Sequence, residues 1–175
     1  KVKKKQFLDY LQGFIVAENF GITTLRKELK SYADISNSGL TFSPTEKQWV
    51  SDLADIYRIK LEQFNSDNDI INELMLRVDV IPVSLALAQA ANESAWGTSR
   101  FALEGNNVFG QWCYKEGCGM VPAERRKGAT HEVKSFQSVE SSVKAYFLNI
   151  NSHPSYRYLR EVRAGMRQHQ GELDP

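Results

Sequence analysis

One strongly apolar helical segment, residues 81–97, constrains the fold of this chain more than any other stretch. Between residues 83 and 91 only two side chains are polar, and the rest are Ala, Leu and Val, with the strong helix formers Ala and Leu dominant. Pro82 suits the first turn of a helix, and Gly97 suits its end. A helix that is apolar on nearly every side is expected to be buried, with the rest of the chain packed around it.

A single carboxylate, Glu93, falls in the last turn of this predicted helix. The helix dipole opposes an anion there, and burial would remove water from it, so both effects favour the protonated form that a general acid needs. Helical spacing places Gln89 and Trp96 on the same face, and we expect both to bind substrate. The alternative is an ordinary solvated glutamate at a helix end. We predict that Glu93 is a catalytic acid.

The segment around Glu93 resembles a known enzyme family. Residues 90–99 read AANESAWGTS and residues 105–110 read GNNVFG. Together they resemble the family 73 glycoside hydrolases, endo-β-N-acetylglucosaminidases of the lysozyme superfamily that cleave bacterial peptidoglycan. With its N-terminal helices included, the chain resembles in particular the bacterial Bax-type envelope proteins. The resemblance implies a mainly α, lysozyme-like helical domain with a small β-hairpin lobe, and it implies that Glu93 is the catalytic acid.

Length and composition are those of one globular domain, with 175 residues, 42% hydrophobic and 25% charged. A formal net charge of +1 gives no support for binding nucleic acid. No apolar run approaches the roughly 20 residues of a membrane span. The chain begins with Lys1 and has no signal-peptide pattern, so we interpret it as a mature or trimmed chain. We expect a monomer in the periplasm or cell envelope that binds peptidoglycan glycan strands without metal or cofactor.

Cys113 and Cys118 are the only cysteines in the sequence. Their spacing is compatible with a small disulfide, which would suit an oxidising envelope compartment, and two free thiols are the alternative. A structural zinc site needs four ligands, so zinc is the weaker interpretation.

We predict one glucosaminidase-like domain over residues 1–175. It comprises N-terminal packing helices (1–78), the catalytic helix and its turn (79–110), a β lobe (111–137) and C-terminal helices (138–175). Apolar periodicity predicts the other helices. Their expected positions are residues 3–18, 22–32, a helix beginning at the capping box of Ser43 and Glu46, a short helix near 70–75, residues 139–150 with Ser138 as N-cap, and residues 157–164. The N-terminal helices show no identifiable chemistry.

The β lobe should contain a second catalytic group, because glycosidic hydrolysis usually takes two carboxyls. Residues 111–121 and 130–136 predict a hairpin with its turn at residues 125–128. The resemblance implies a second glutamate on the strand before that turn, and Glu124 fits; Glu132 and Glu116 are the alternatives. The acetamido oxygen of the substrate is another candidate for the second group.

Other side chains are candidates for holding the glycan. Trp112 could stack on a sugar ring. Asn107 could bind the N-acetyl group, although Asn also favours tight turns. Tyr156 matches a family position after the helix that follows the hairpin, and it could equally belong to the core. The family's C-terminal Gly-Tyr-Ala-Thr-Asp-Pro segment is not recognisable, which leaves open a functional tyrosine beyond residue 175.

Two other functions remain open. A lytic transglycosylase shares the Glu-Ser helix and needs only one acid. A non-catalytic cell-wall-binding protein needs none. A zinc protease is excluded, because the pair His131-Glu132 lacks the second histidine of that motif.

Overall fold

A computed structural model describes residues 2–123, 125 and 128–170, with the backbone alone for residues 169 and 170. Within these residues the chain forms seven α-helices and three short strands. They are α1 (Val2–Asn37), α2 (Pro44–Ile56), α3 (Asp67–Arg77), α4 (Val83–Glu93), α5 (Arg100–Gly105), β1 (Trp112–Cys113), β2 (Gly119–Met120), β3 (Glu132–Lys134), α6 (Val139–Ser152) and α7 (Arg157–Gln170). The predicted class, a mainly α, lysozyme-like helical domain with a small β lobe, is confirmed. None of the described helices combines the length and the apolar character that crossing a membrane requires.

The chain divides into two compact units. The first comprises Lys1–Glu18 and Ile81–Phe147, and the second comprises Asn19–Val80 and Leu148–Pro175. Helices α1 and α6 each contribute residues to both units. The single domain expected over residues 1–175 stays a prediction.

Helix α1 is continuous over 36 residues, so the prediction of two separate helices over residues 3–18 and 22–32 is wrong. Gly21 lies between the two predicted helices, and a glycine within a helix lowers stability by only about 1 kcal/mol relative to Ala. Asn19 and Ile22 are both buried, three residues apart. The buried face of the helix therefore continues through residues 19–21, where the sequence pattern predicted a break between two helices.

The start of α2 is as predicted, because its signal is local. Ser43 is the N-cap, its side chain accepts a hydrogen bond from the Glu46 backbone N–H, and the Ser43 N–H donates to Glu46 Oε2 at 2.7 Å. The hydrogen bonds that the Ser43 backbone N–H and the Ser43 side chain make to the Glu46 carboxyl lower the pKa of that carboxyl. The capping box thus sets where the helix begins.

A buried carboxylate, Asp79, organises the second unit. It is 2% exposed and lies within 4.0 Å of the guanidinium groups of Arg26, Arg163 and Arg167. Arg163 also donates to backbone carbonyls near the end of α3, including that of Val80 at 3.0 Å. Burial lowers the pKa of Arg163 to about 10, so this side chain stays charged at neutral pH.

The β lobe is a three-stranded antiparallel sheet with β3 in the centre, where the sequence predicted a simple hairpin. Val133 lies opposite Trp112 on one side and Met120 on the other. The chain between β1 and β2 is closed by a Cys113–Cys118 disulfide, which confirms the predicted bridge. The hairpin prediction is incomplete because this closed loop brings the chain back to the far edge of β3.

Candidate active site

Glu93 lies in the last turn of α4, as predicted, but the helix ends at this residue instead of continuing towards Gly97, and the surroundings of Glu93 also differ from the prediction. Only Ala86, Ala90 and Ala91 of this helix are buried, and Glu93 and Gln89 are exposed. The prediction of a helix buried on all sides is wrong, because Ala and Leu form helices irrespective of which face is covered. The burial predicted for Glu93 is therefore absent, and its side chain is open to approach from solvent.

The turn that follows Glu93 has an unusual backbone. Ala95, Trp96 and Gly97 all have positive φ, at 51°, 60° and 77°. Non-glycine residues in the left-handed region cost on the order of 1–3 kcal/mol each, and they persist where the surrounding structure holds them. The helical spacing used to place Trp96 beside Glu93 is wrong, because α4 ends at Glu93. Substrate binding by Trp96 stays a prediction.

Ser94 holds this turn from the inside. Its side chain is fully buried, its Oγ donates to the Ala90 carbonyl at 2.6 Å, and the Gly97 N–H donates to the same Oγ at 2.7 Å. The Ser94 carbonyl also accepts the N–H groups of Thr98 and Ser99. The Glu-Ser pair thus has a division of roles: Glu93 faces solvent, and Ser94 anchors its backbone.

The GNNVFG segment forms the next turn. Asn106 has φ 51° and caps α5 in the left-handed conformation. Asn107 is 1% exposed; its Nδ2 donates to the carbonyls of Gln111 and Lys134, and its Oδ1 accepts the N–H groups of Phe109 and Gln111. Its hydrogen-bonding capacity is filled by the backbone, so the substrate-binding role predicted for Asn107 is not supported.

Gly110, the last residue of this segment, lies directly against Glu93. A β-carbon built on Gly110 would be 3.0 Å from Glu93 Oε2 and 3.9 Å from Glu93 Cδ. Gly110 also has φ 62°, a conformation that favours glycine. The structure therefore brings the two halves of the sequence motif together at the carboxyl.

Gln89, one turn before Glu93, is held by Tyr146, a residue of the helix predicted over residues 139–150 for which the sequence indicated no role. The Tyr146 hydroxyl donates a hydrogen bond to Gln89 Oε1, and the Tyr146 ring stacks on Phe109 with centroids 3.9 Å apart. Among the described residues, the Gln89 amide N–H groups have no hydrogen-bond partner, and substrate binding by Gln89 stays a prediction. A buried tyrosine hydroxyl usually has a hydrogen-bond partner. The presence of a tyrosine in the apolar stripe of this helix was therefore the one sign in the sequence that Tyr146 holds a polar side chain.

Trp112 is 55% exposed on β1, where its ring stacks on His131 with centroids 4.4 Å apart. Its exposed surface is free for a sugar ring, and this role stays a prediction. Tyr156 is half-buried in the second unit, in the 3-10 turn Pro154–Tyr156, with its ring edge-on to His153. Its candidate role in holding the glycan likewise stays a prediction.

The candidate second carboxylates differ sharply in environment. Glu124 lies outside the described residues. Glu116 is exposed. Glu132 is buried and accepts the backbone N–H groups of Gly117 at 3.1 Å and Gly119 at 2.8 Å. These hydrogen bonds lower the pKa of Glu132, so it is an anion that closes the disulfide loop rather than a group free to react.

Ligand atoms of Cys113, Cys118 and Glu132 lie within 4.8 Å of one another, the spacing of a metal site. The two cysteines are joined in a disulfide and offer no thiolate. This cluster is therefore structural.

The chain is similar in sequence to known proteins. Residues 68–172 match the glucosaminidase family, described as mannosyl-glycoprotein endo-beta-N-acetylglucosaminidase; α1 and α2 lie outside the match. Over 173 residues the chain is 36% identical to Protein bax of Escherichia coli (strain K12), covering 98% of this chain and 59% of that protein. The chain thus spans less than two thirds of this relative's length. No solved structure gives a significant match.

Proposed function

The chain belongs to the glucosaminidase family, and on this premise we propose that it hydrolyses β-1,4 glycosidic bonds at N-acetylglucosamine in peptidoglycan. Glu93 is the general acid of this proposal. The observation that carries it is the position of the Glu93 carboxyl: exposed at the end of α4, with Gly110 of the second motif segment against it.

An acid in this position would act on the leaving group. Glu93 donates its proton to the glycosidic oxygen, the bond from that oxygen to the sugar C1 breaks, and positive charge develops at C1. The acetamido oxygen of the same sugar can bond to C1 and neutralise this charge. Water then attacks C1, gives up its proton to the Glu93 carboxylate and releases the reducing sugar.

The second group in this proposal is Glu124 or the substrate acetamido oxygen. Glu132 is unsuited, because its two carboxylate oxygens are occupied by Gly117 and Gly119 N–H groups. Gln89 supports the proposal as a glycan-binding residue, since its amide N–H groups remain available while Tyr146 holds its oxygen. We also propose Trp112 as a stacking surface, peptidoglycan strands as the partner and the cell envelope as the location.

The products of digestion test the proposal. Purified peptidoglycan would be incubated with the protein, with Glu93→Gln as the control, and the released fragments would be reduced and identified by mass spectrometry. Fragments ending in reducing N-acetylglucosamine support it. Fragments ending in anhydro-muramic acid assign the chain as a lytic transglycosylase, and binding without any release assigns it as a wall-binding protein.

A further inference from the structure

The first two turns of α1 contact the backbone turn that follows Glu93. The Lys4 ammonium lies 4.1 Å from the centroid of the Trp96 ring. The Phe7 ring covers Gly97 so closely that a β-carbon built there would lie 2.7 Å from Phe7 Cδ2 and 2.8 Å from Cε2. All four residues belong to the first unit.

Phe7 and Lys4 contact the turn of the site that has the least favourable backbone conformation. Residues 95–97 hold three consecutive positive φ angles, two of them in Ala95 and Trp96, which pay a steric penalty in that region. Ser94 secures the turn from the buried side through hydrogen bonds to Ala90 and Gly97. Phe7 and Lys4 add two further contacts to this turn, because the ring packs on Gly97 and the cation lies over Trp96.

We propose that Phe7 and Lys4 are positioning residues for Glu93. By holding the 95–97 turn they fix where α4 ends, and so they fix the direction of the Glu93 carboxyl. This inference rests on the proposed function, since it takes Glu93 as the acid. It gives α1, which lies outside the family match over residues 68–172, a role in the site.

Kinetics on soluble peptidoglycan glycan strands separate positioning from simple stability. A displacement of about 1 Å in a reacting group can cost on the order of 100-fold in rate. We expect Phe7→Ala to lower kcat by roughly 10- to 100-fold at a temperature where it is folded. KM should change less than kcat, because Phe7 contacts Gly97 and is not among the residues proposed to bind the glycan. Phe7→Leu, which keeps an apolar contact, should recover part of kcat.

Phe14→Ala is the matched control. Phe14 lies on the same helix and in the same unit, is half-buried like Phe7, and packs edge-on against Tyr10. It should lower Tm about as much as Phe7→Ala while leaving kcat unchanged. Equal effects of the two variants on both Tm and kcat would overturn the positioning role.

A double-mutant cycle tests the contact itself. Gly97→Ala introduces a methyl that meets the Phe7 ring, and Phe7→Ala removes that ring. The double variant should therefore have a higher kcat than the product of the two single effects predicts. Strictly multiplicative effects would show that the two residues act independently, which contradicts the proposal.

Lys4 has its own pair of variants. Lys4→Met should lower kcat, and Lys4→Arg should restore it, because arginine keeps a cation over the indole. Lys5→Met is the control, since Lys5 pairs with Asp9 at 2.5 Å on the exposed face. Equal kcat in Lys4→Met and Lys5→Met would remove Lys4 from the proposal.

Glu93→Gln distinguishes this inference from the function it rests on. If Glu93→Gln is inactive while Phe7→Ala and Phe14→Ala have equal kcat, the inference fails and the proposed function stands. Full activity in Glu93→Gln overturns both.

Discussion

Gly110 approaches the Glu93 carboxyl so closely that a methyl group on it would lie 3.0 Å from Glu93 Oε2. Such a contact could be relieved cheaply by rotation of the glutamate side chain. In a glycosidase, however, that rotation would move the reacting oxygen. The requirement for glycine at position 110 is therefore both conformational, from its φ of 62°, and functional.

Gly110→Ala should lose activity well beyond its loss of stability. We expect a fall in kcat of roughly 100-fold, the scale expected when a reacting group moves by about 1 Å. Gly39→Ala is the control, because Gly39 also has positive φ, at 76°, but has nothing within 4 Å of the added methyl. Both variants should lose about 1–2 kcal/mol of unfolding free energy through the left-handed backbone. Equal activity in the two variants would show that the contact with Glu93 is unimportant.

Glu132→Gln should change how stability depends on pH. The N–H groups of Gly117 and Gly119 hold the pKa of Glu132 below its unfolded value of about 4.3. A lowered folded-state pKa stabilises the protein above about pH 4.3, and this stabilisation is lost as the pH falls through the folded-state pKa. Urea unfolding at neutral pH should show the variant less stable, and the difference should shrink in acid. A difference independent of pH would contradict this assignment.

The local signals in the sequence predicted the local structure. Ser43 and Glu46 formed the expected capping box because both partners lie within one turn. The Cys113–Cys118 bridge also followed from a short spacing. The motif also predicts Glu93 as the acid from the sequence alone, and this role stays a prediction.

The surroundings of these elements could not be predicted in the same way. The apolar composition of α4 says which residues favour a helix, and it does not say which face other segments cover, so Glu93 was wrongly expected to be buried. The packing of Phe7 on Gly97 joins residues 90 positions apart, without any local signal in either. The backbone N–H groups that bind the Glu132 carboxylate are placed by the register of a three-stranded sheet, and the sequence predicted only two of its strands.

Asp79→Asn should be among the most destabilising single substitutions in the second unit. It leaves Arg26, Arg163 and Arg167 without their buried anion, and breaking a buried ion pair costs about 3–5 kcal/mol. Asp9→Asn removes the same charge from an exposed pair and should cost about 0.2–1 kcal/mol. Urea unfolding of both variants provides the comparison. If Asp79→Asn lost as little unfolding free energy as Asp9→Asn, the ion pairs of Asp79 would contribute little to stability.

Removal of the disulfide should loosen the β lobe. Cys113 and Cys118 are five positions apart, and closing so short a loop stabilises the folded state by about 2 kcal/mol in the chain-entropy description. The Cys113→Ser/Cys118→Ser variant should lose about this much unfolding free energy and become insensitive to reductant. A wild-type protein whose stability is unaffected by reductant would contradict the expectation.

The most direct test of the central claim is the rate at which Glu93→Gln degrades purified peptidoglycan, measured beside the wild-type protein with the fold of both checked by circular dichroism. Glutamine keeps the shape of the side chain and removes the transferable proton. A general acid contributes on the order of 10²- to 10⁴-fold, so we predict a rate loss of that size with the fold and glycan binding retained. A folded Glu93→Gln variant that degrades peptidoglycan at the wild-type rate would contradict the account.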